Sequence, residues 1–391
     1  DVNRFWDSKG IDVFHGDDET AYHIHLLYTT AAESLSFGAS NNYMTQTTNG
    51  NIYVTDGTTV HEYDASTETW SSILAATNGA TYNFTGAAAF GNTVYFTTAD
   101  GTSNSELIHY EPGGHGWSTH NTAFNTLGGL TGVWFVKNTL FVTGNDGTAE
   151  YVWEGDAFAD SWASTFATAD AIIEVEPTHQ ITGIVDGGAV VLAASTDGNV
   201  YSFKLSSGVF VNQGQTKIPF EQVHSIAAAE GIIFLGTQEN TREVGRLYRA
   251  ELVNADDLYV LANRQLVKEW IIDGYDSCPH SMFVSRDSVY MGVQEGLNQV
   301  NLWRYYLPTG GLARDLQTGG NGLVYGITQS NGKFVISVSG SDVYKETSTY
   351  EAEGYVVLSA ADFFTAESKQ FVGAEISTNN LPTNTQVDLL Y

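Results

Sequence analysis

Short apolar runs set between polar turns recur along the chain, and the first complete unit begins at residue 51. The apolar run at residues 52–54 is followed by Asp56-Gly57, and the alternating segment after it contains Tyr63 and, seven residues later, Trp70. Asp-Gly between two such runs predicts a tight hairpin, because both residue types tolerate the positive φ that the turn requires. One hairpin cannot bury its own apolar face in water, so the pattern requires neighbours of the same kind.

The layout returns at a regular interval. Its central apolar runs occupy residues 52–54, 94–96, 140–142, 190–192, 232–235, 289–291 and 334–336. The first residues of successive runs are separated by 42, 46, 50, 42, 57 and 45 residues. Periods of about 40 to 50 residues with strand patterning throughout are typical of propeller blades, each of which is a four-stranded sheet.

A second regularity marks the outer part of each unit. In five units two aromatic or aliphatic residues stand seven apart: Tyr63 and Trp70, Tyr110 and Trp117, Phe203 and Phe210, Tyr305 and Leu312, Val357 and Phe364. The third unit widens the spacing to nine, from Trp153 to Trp162, and the fifth carries a polar insertion at residues 254–263. Parallel sheets would need helical crossovers of a dozen or more residues, whereas the helical candidates here are short, such as residues 359–366. We therefore predict an all-β propeller of seven four-stranded blades, with eight blades as the alternative.

The segments on either side of the repeat lack the full unit. Residues 1–40 are predicted to form an N-terminal lead-in segment that either packs under the first sheet or supplies a strand to close the last one. Residues 41–366 form the predicted propeller, and residues 367–391 are interpreted as the truncated beginning of a further β-sandwich-like module. The chain starts at Asp1 without methionine and stops at Tyr391 within a strand-like pattern, so we expect both ends to be cut from a longer polypeptide.

The charge balance limits the classes of partner. The chain has 45 acidic and 16 basic residues and a formal net charge of −29, which repels phosphate backbones and anionic lipids and argues against nucleic-acid or membrane-surface binding. There is no apolar run of about 18 residues, the length that a membrane span needs. The single cysteine, Cys278, excludes an intrachain disulfide and a zinc site built from cysteines.

Two acidic or histidine-containing segments are candidates for metal binding, and each has a simpler interpretation. His23 and His25 would share one face of a strand, as two metal ligands would, but no third ligand lies at a recognisable spacing. The segment Asp17-Asp18-Glu19 is either a calcium ligand set or a solvated turn. We predict no metal ion and no cofactor.

Two further groups suggest catalysis only weakly. His109, His115 and His120 surround a glycine turn and are expected to be exposed loop residues. Cys278 lies two residues from His280, the residue types of a nucleophile and its base, but no partner acid is identifiable and a structural turn is the preferred interpretation. We therefore predict no catalytic residues and a protein that is not an enzyme.

Aromatic residues that break the repeat pattern are better candidates for binding. Residues at the regular seven-residue spacing are predicted to fill the space between sheets. The side chains outside that register can stack on the apolar face of a sugar, and the four candidates are Trp134, Trp153, Tyr259 and Tyr306.

Parts of the sequence resemble known families. Tyr63-Asp64 with Trp70, and Tyr110-Glu111 with Trp117, resemble kelch-type repeats, which supports propeller geometry. Residues 3–13 (NRFWDSKGIDV) followed by Leu26-Leu27 resemble the segment that leads into the propeller of minor tail proteins from tailed, siphovirus-type phages of actinobacteria. Residues 381–391 (LPTNTQVDLLY) resemble the start of the β-sandwich that often follows that propeller.

The resemblance to phage tail proteins implies a non-enzymatic structural component of a viral tail tip or baseplate, located extracellularly in the virion. The expected partners are other virion tail proteins and a host cell-surface glycan, and the expected state within the assembly is a homo-oligomer such as a trimer. The alternative is a secreted propeller-type lectin or glycan-active enzyme, which predicts three or more carboxylates or a divalent ion at the channel mouth. A third hypothesis is an intracellular kelch-like scaffold.

Overall fold

The computed structural model describes residues 5–9, 11–12, 25–26, 28–33, 35, 42–74, 83–99, 105–112, 116–121, 129–155, 170–240, 243–255, 258–351 and 355–358. Within these ranges the regular elements are β-strands. The segment 367–391, for which a further module is predicted, lies outside the described residues, and the domain boundaries given above stay a prediction.

The strands follow one another in groups of four. The N-terminal part contributes β1 (Phe5–Lys9), β2 (Ile11–Asp12), β3 (His25–Leu26) and β4 (Tyr28–Ala32). Blade 1 contains β5 (Met44–Gln46), β6 (Ile52–Asp56), β7 (Thr59–Asp64) and β8 (Thr69–Leu74). Blade 2 contains β9 (Asn83–Phe90), β10 (Thr93–Ala99), β11 (Leu107–Glu111) and β12 (Gly116–Asn121). Blade 3 contains β13 (Gly129–Val136), β14 (Thr139–Asn145), β15 (Glu150–Gly155) and β16 (Ile173–Val175).

The second half of the chain continues the series. Blade 4 contains β17 (Ile181–Asp186), β18 (Val191–Ser195), β19 (Asn199–Ser206) and β20 (Val209–Lys217). Blade 5 contains β21 (Glu221–Ala229), β22 (Ile232–Glu239), β23 (Val244–Ala255) and β24 (Leu258–Ile271). Blade 6 contains β25 (Met282–Ser285), β26 (Ser288–Gly296), β27 (Gln299–Tyr306) and β28 (Gly311–Thr318). The remaining strands are β29 (Val324–Ser330), β30 (Lys333–Val338), β31 (Val343–Tyr350) and β32 (Tyr355–Leu358).

Seven four-stranded antiparallel sheets form a closed ring, which confirms the predicted seven-bladed all-β propeller. In blades 1 to 6 the sheet order equals the chain order. The first strand of each blade contacts the first strand of the next, from β5 through β9, β13, β17, β21 and β25 to β29, and β29 contacts β5. These seven strands therefore surround the axis of the propeller.

The last blade is completed by a strand from the N-terminal part. Its sheet order is β29-β30-β31-β4, with Tyr344 opposite Ala32 and Glu346 opposite Thr30. β32 instead pairs with β1 in a separate two-stranded sheet in which Val357 lies opposite Asp7. The expectation that Val357 belongs to the outer part of the seventh unit is therefore wrong, because the N-terminal strand β4 occupies the outer edge; Phe364 lies outside the described residues.

The seven-residue spacing of aromatic residues has a direct geometric cause. Tyr63 on β7 and Trp70 on β8 are opposite each other in the antiparallel register, with ring centroids 5.2 Å apart. Tyr110 and Trp117 are opposite in the same way, as are Tyr305 and Leu312. In blade 4 the turn of this hairpin has only two residues, 207–208, so that Phe203 lies opposite Asn212 and Phe210 lies opposite Leu205. The spacing thus measures the length of the hairpin between the third and fourth strands.

Each blade buries both of its faces against neighbours. Every one of the seven interfaces between adjacent blades holds a cluster of buried apolar side chains. At the interface of blades 3 and 4, for example, Phe141 packs with Phe210, with ring centroids 5.2 Å apart. This arrangement explains why no single hairpin of the repeat is stable alone.

The polar insertion of the fifth unit is an extension of a hairpin. β23 and β24 continue past the length of the other outer strands, and Asn254 lies opposite Tyr259 near the tip. The extension leans on blade 4, because the Ser202 hydroxyl donates to the Tyr259 carbonyl oxygen at 2.9 Å and the Leu261 amide donates to Thr216 Oγ1 at 2.8 Å.

Candidate functional site

The first strands share a local irregularity near their start. In β9, β13, β17, β21 and β29 one residue is left without an opposite partner, between an apolar residue and a glycine or serine. Such a β-bulge bends the strand and redirects a side chain. The bulged residues are Thr85, Thr131, Thr182, His224 and Tyr325.

Blades 1 and 6 place a residue at the same point. Tyr43 precedes Met44, which lies opposite Val54, and the Tyr43 carbonyl accepts from the Thr55 amide at 2.9 Å. His280 precedes Ser281, whose carbonyl accepts from the Gly292 amide at 3.4 Å. We call the set Tyr43, Thr85, Thr131, Thr182, His224, His280 and Tyr325 the axial ring. All seven residues are partly exposed.

Close contact between first strands explains the glycine that follows several of these positions. A Cβ on Gly86 would lie 2.8 Å from the amide nitrogen of Val133 in the next blade, and a Cβ on Gly326 would overlap Met44 Cβ. These glycines let neighbouring first strands approach, so the axial ring is drawn tightly around the axis.

One part of the axial ring is a continuous arc of aromatic side chains. The ring centroids of Tyr43 and Tyr325 are 5.9 Å apart, with planes inclined by 60°. Tyr325 lies 6.2 Å from His280, and His280 lies 4.5 Å from His224. The arc therefore runs through blades 1, 7, 6 and 5 and presents phenol and imidazole groups together.

The other part consists of three threonines whose hydroxyl groups are tied to the blades. Thr85 Oγ1 is 3.0 Å from Thr97 Oγ1, and Thr182 Oγ1 donates to the Val223 carbonyl of the next blade at 2.9 Å. Thr131 Oγ1 donates to Glu150, a buried carboxyl group. The axial ring is thus divided into an aromatic side and a hydroxyl side.

Glu150 is strongly perturbed but enclosed. Burial raises its pKa to about 7, against the lowering effect of hydrogen bonds that include one from Thr131. Glu150 is 0% exposed, so a substrate cannot reach the carboxyl group. Glu150 therefore stabilises the hydroxyl side of the axial ring by accepting the hydrogen bond of Thr131.

The electrostatics of the aromatic side are set by Asp276. His280 Nε2 is 3.0 Å from Asp276 Oδ2, and the Cys278 amide donates to Asp276 Oδ1 at 3.0 Å. Burial raises the pKa of Asp276, but the hydrogen bond and charge of His280 outweigh it and lower the pKa overall. Burial, together with the Asp276 charge, raises the pKa of the Tyr325 phenol.

His224 is held neutral. Burial lowers the pKa of its imidazole to about 4, and repulsion from His280 acts in the same direction. Its Nε2 is buried and has no hydrogen-bond partner among the residues that the structure describes, while Gln238 is a hydrogen-bond partner of the imidazole. At neutral pH this side chain therefore offers one unsatisfied nitrogen next to the aromatic arc.

The environment of Cys278 does not favour a nucleophilic thiolate. The residue is 1% exposed, its Sγ lies 3.7 Å from the Pro279 carbonyl oxygen, and burial raises the pKa of the thiol. Because the thiolate is the reactive form, this environment keeps Cys278 as an unreactive thiol beside the Asp276–His280 pair.

Three carboxylates do converge at one point on blade 5, but around a cation. Arg246 pairs with Glu221, with Glu239 at 2.9 Å and with Glu269 at 2.6 Å, using a different guanidinium nitrogen for each. Charge-assisted hydrogen bonds of this kind are shorter and stronger than those between neutral groups. The cluster is an ion-pair network that fixes the strand ends of blade 5.

The four predicted sugar-stacking residues do not gather on one surface. Trp153 is 3% exposed inside the core between blades 2 and 3, which leaves its ring no open face. Trp134 is partly buried; its ring lies over Gly132 and packs against the core between blades 3 and 4. Tyr259 and Tyr306 are partly exposed on blades 5 and 6, near Lys204 at 5.7 Å and Arg304 at 5.4 Å. Sugar stacking on these residues stays a prediction.

The axial ring was not predicted from the sequence, although the first strands carry a recurring signal. An apolar residue, one polar or aromatic residue and a small residue recur near the start of the first strands: Phe84-Thr85-Gly86, Leu130-Thr131-Gly132, Ile181-Thr182-Gly183, Val223-His224-Ser225 and Val324-Tyr325-Gly326. Only the ring closure shows that the middle residues of these triplets meet at the axis.

The other sequence candidates have different outcomes. His109 is 9% exposed on β11 with its ring 5.9 Å from that of Tyr95, so the expectation of an exposed loop residue is wrong. The segment Asp17-Asp18-Glu19 and His23 lie outside the described residues, and the side chains of His25, His115 and His120 are not described. Among the residues that the structure does describe, no group of three or more His, Cys, Asp or Glu could hold a metal ion. In the same part of the chain no helix has the length and apolarity to cross a membrane.

Comparison with known proteins identifies the fold. No family model and no curated protein matches the sequence. Among solved structures, the chain is similar to YCF48 bound to D1 peptide, with a TM-score of 0.54 and 12% identity over 83% of this chain and 98% of that chain. It is similar to the WD40 β-propeller domain of Doa1, with a TM-score of 0.54 and 10% identity over 82% of this chain and 97% of that chain.

A further similar structure comes from Bacteroides. The extracellular domain of the putative hybrid two component system BT4673 from B. thetaiotaomicron matches with a TM-score of 0.53 and 13% identity, over 82% of this chain and 40% of that chain. At these identities the likeness shows the β-propeller fold alone, because one fold carries many unrelated functions.

Proposed function

We propose that this protein is a non-enzymatic structural component of a viral tail tip or baseplate, in which the propeller is a rigid platform for attachment to a host-surface glycan or to other tail proteins. The resemblance of the flanking segments to minor tail proteins suggests the setting. The proposal places the protein outside the host cell, in the virion, as part of a homo-oligomer such as a trimer.

The observation that carries the proposal is the pairing of the two segments that flank the propeller. β1 and β32 form their own antiparallel pair, with Phe5 opposite Leu358 and Lys9 opposite Tyr355. The chain therefore enters and leaves the ring at the same place, beside the blade that β4 completes. A propeller attached at one point leaves its other blades and its axis accessible, which suits a platform carried on a larger assembly.

The construction of the ring supports rigidity. The first and last blades are joined by backbone and side-chain bonds, including Gln46 Nε2 to the Gln329 carbonyl at 2.7 Å and the Ser337 hydroxyl to the Asn42 carbonyl at 2.9 Å. With an apolar core at every blade interface, the platform has no open seam among the described residues. The excess of acidic residues limits unspecific adhesion to nucleic acid and anionic lipid.

The test combines particle composition with a binding and a turnover assay. Mass spectrometry of virus particles purified from the source should detect the protein at a fixed ratio to other tail proteins. An array of bacterial-surface oligosaccharides, probed with the full chain, should give binding, and prolonged incubation with the same oligosaccharides should release no shorter product. Absence from the particles, or saccharide release at enzymatic rates, would overturn the proposal.

A further inference from the structure

We propose that the axial ring binds a neutral saccharide, seated on the aromatic side formed by Tyr43, Tyr325, His280 and His224. This inference rests on the proposed function and names the ligand class and the site, at the axis of the propeller and away from the aromatic residues that break the repeat.

The axial ring contains no uncompensated charge. Threonine is uncharged and tyrosine has an ordinary pKa of about 10. His224 is neutral at pH 7 because of its burial, and any charge on His280 is offset by Asp276 at 3.0 Å. In a chain with a net charge of −29, a site built for a cation or an anion would be expected to contain an uncompensated charge.

The members of the axial ring offer the hydrogen-bonding groups that a saccharide needs. Phenol groups and a neutral imidazole each donate and accept, as a sugar hydroxyl does, whereas the three threonine hydroxyls already donate within the propeller and can still accept. Within the described part of the chain, His224 Nε2 is buried without a partner, and a buried polar atom in that state is costly unless a ligand or water satisfies it. A hydroxyl group can satisfy this nitrogen whether the nitrogen donates or accepts.

The shape of the aromatic side also suits a saccharide. Tyr43, Tyr325 and His280 are partly exposed, and their planes are inclined to one another by 60° and 48°. Inclined rings offer more than one face, and aromatic faces bind the apolar C–H face of a pyranose while the polar rim of the ligand forms hydrogen bonds. The aromatic side supplies stacking, and its phenol and imidazole groups supply hydrogen bonds within the same arc.

Two other ligand classes fit less well. Asp276 already accepts from His280 and from the Cys278 amide, so little carboxylate capacity remains to hold an organic cation. A peptide would be expected to use unpaired backbone groups, whereas Thr182, which faces the axis between blades 4 and 5, already donates to a backbone carbonyl of the propeller. Both classes become outcomes of the test.

The test starts with the full chain on an array of neutral and anionic bacterial-surface oligosaccharides, followed by calorimetric titration with the neutral oligosaccharide that gives the highest signal. Tyr325→Leu removes a stacking face and should weaken binding at least tenfold, while Tyr325→Phe, which loses only the hydroxyl, should weaken it about two- to fivefold. The control Tyr28→Leu removes an exposed tyrosine of β4, at the outer edge of blade 7 and outside the axial ring, and should change affinity less than twofold.

A measurement on the unmodified protein avoids dependence on the folding of variants. Histidine ring-nitrogen resonances of His224 and His280, followed by NMR, should shift on adding the oligosaccharide and saturate at the calorimetric affinity. Unshifted resonances, or equal affinity in the Tyr325→Leu variant, would overturn the site. Binding of anionic oligosaccharides alone, or shifts produced by a peptide or an organic cation and not by a saccharide, would overturn the ligand class.

The failure of this inference and that of the proposed function are distinguishable. If the protein is a particle component but the axial ring variants bind glycan normally, or no glycan binds, the tail function stands and the saccharide site is wrong. If the protein is absent from particles yet the axial ring variants lose saccharide binding, the site stands and the tail function is wrong.

Discussion

The Nζ atom of Lys345 on the last blade lies 3.2 Å from the carboxylate oxygen Oε2 of Glu68 on the first blade. The same ammonium group donates to the Tyr63 hydroxyl at 2.5 Å and lies 4.7 Å from the centroid of that ring. One cation therefore joins the two ends of the repeat, at the interface where a propeller must close.

Replacing this lysine should loosen the closure. Lys345→Met keeps much of the aliphatic stem and removes the ammonium group, so we expect a loss of about 1.5–3 kcal/mol in the free energy of unfolding, the range for hydrogen bonds to charged groups. Urea unfolding followed by circular dichroism measures this. Lys333→Met is the matched control, since Lys333 bonds Ser348 within the same blade at 3.1 Å; an equal loss in both variants would contradict a special role for the closing contact.

His224 should make the protein less stable in acid. Its pKa of about 4 in the folded state lies below the ordinary value of about 6.5 for the unfolded chain. The unfolded state therefore binds a proton first as pH falls from about 6.5 to 4, and unfolding becomes easier by roughly 3 kcal/mol across that window.

The variant His224→Gln cannot take up that proton. The facing groups His280 and Asp276 are unchanged in it, so the difference between the two stability profiles isolates His224. The variant should lose less stability than the unmodified protein between pH 6.5 and 4, as measured by urea midpoints at half-unit intervals. Parallel profiles would show that the imidazole is not held neutral.

Glu150 should act in the opposite direction. Its pKa is raised to about 7 in the folded state, above the ordinary value of about 4.3 for glutamic acid. The unfolded state therefore ionises first as pH rises from about 4.5 to 7, and the stabilisation present in acid is lost over that window, by roughly 3 kcal/mol. Glu150→Gln should not show this loss. Its free energy of unfolding should fall less between pH 4.5 and pH 8 than that of the unmodified protein. A profile that still falls between these values in the variant would assign the loss to other groups.

The contact between first strands should tolerate no added methyl group at Gly326. Gly326→Ala places a Cβ where Met44 of blade 1 already lies, so the strands must separate and we expect a cost of about 1–3 kcal/mol, the usual range for overpacking. Gly319→Ala is the control, because nothing lies within 4 Å of a Cβ at that position. Equal thermal midpoints for the two variants would mean that the axis is less tightly packed than described.

The sequence predicted the number of blades because its signals are local. Each hairpin between third and fourth strands fixes the distance between two facing residues, and Tyr63 with Trp70 shows how a register appears as a spacing. Apolar central strands such as residues 94–96 and 140–142 are continuous in the chain and fully buried, so their period is visible without any long-range information.

The axial ring was not predictable in the same way. A bulged residue such as His224 or Tyr325 is distinguished from its neighbours only by an irregular register and by closure of seven distant strands. The placement of Val357 failed for a related reason, since the outer edge of blade 7 is filled from the far end of the chain by β4. Pairings between residues about 300 positions apart leave no periodic trace.

The antiparallel pair β1·β32 also determines how the molecule responds to mechanical load. Phe5 and Leu358 face each other, so the chain outside these residues continues from the same end of the two-stranded ribbon. A tension applied between the two flanking segments breaks the residue pairs of this ribbon one after another, starting at Phe5 and Leu358, before any blade is stretched. The two-stranded ribbon therefore opens first, and the seven-bladed ring is spared the load.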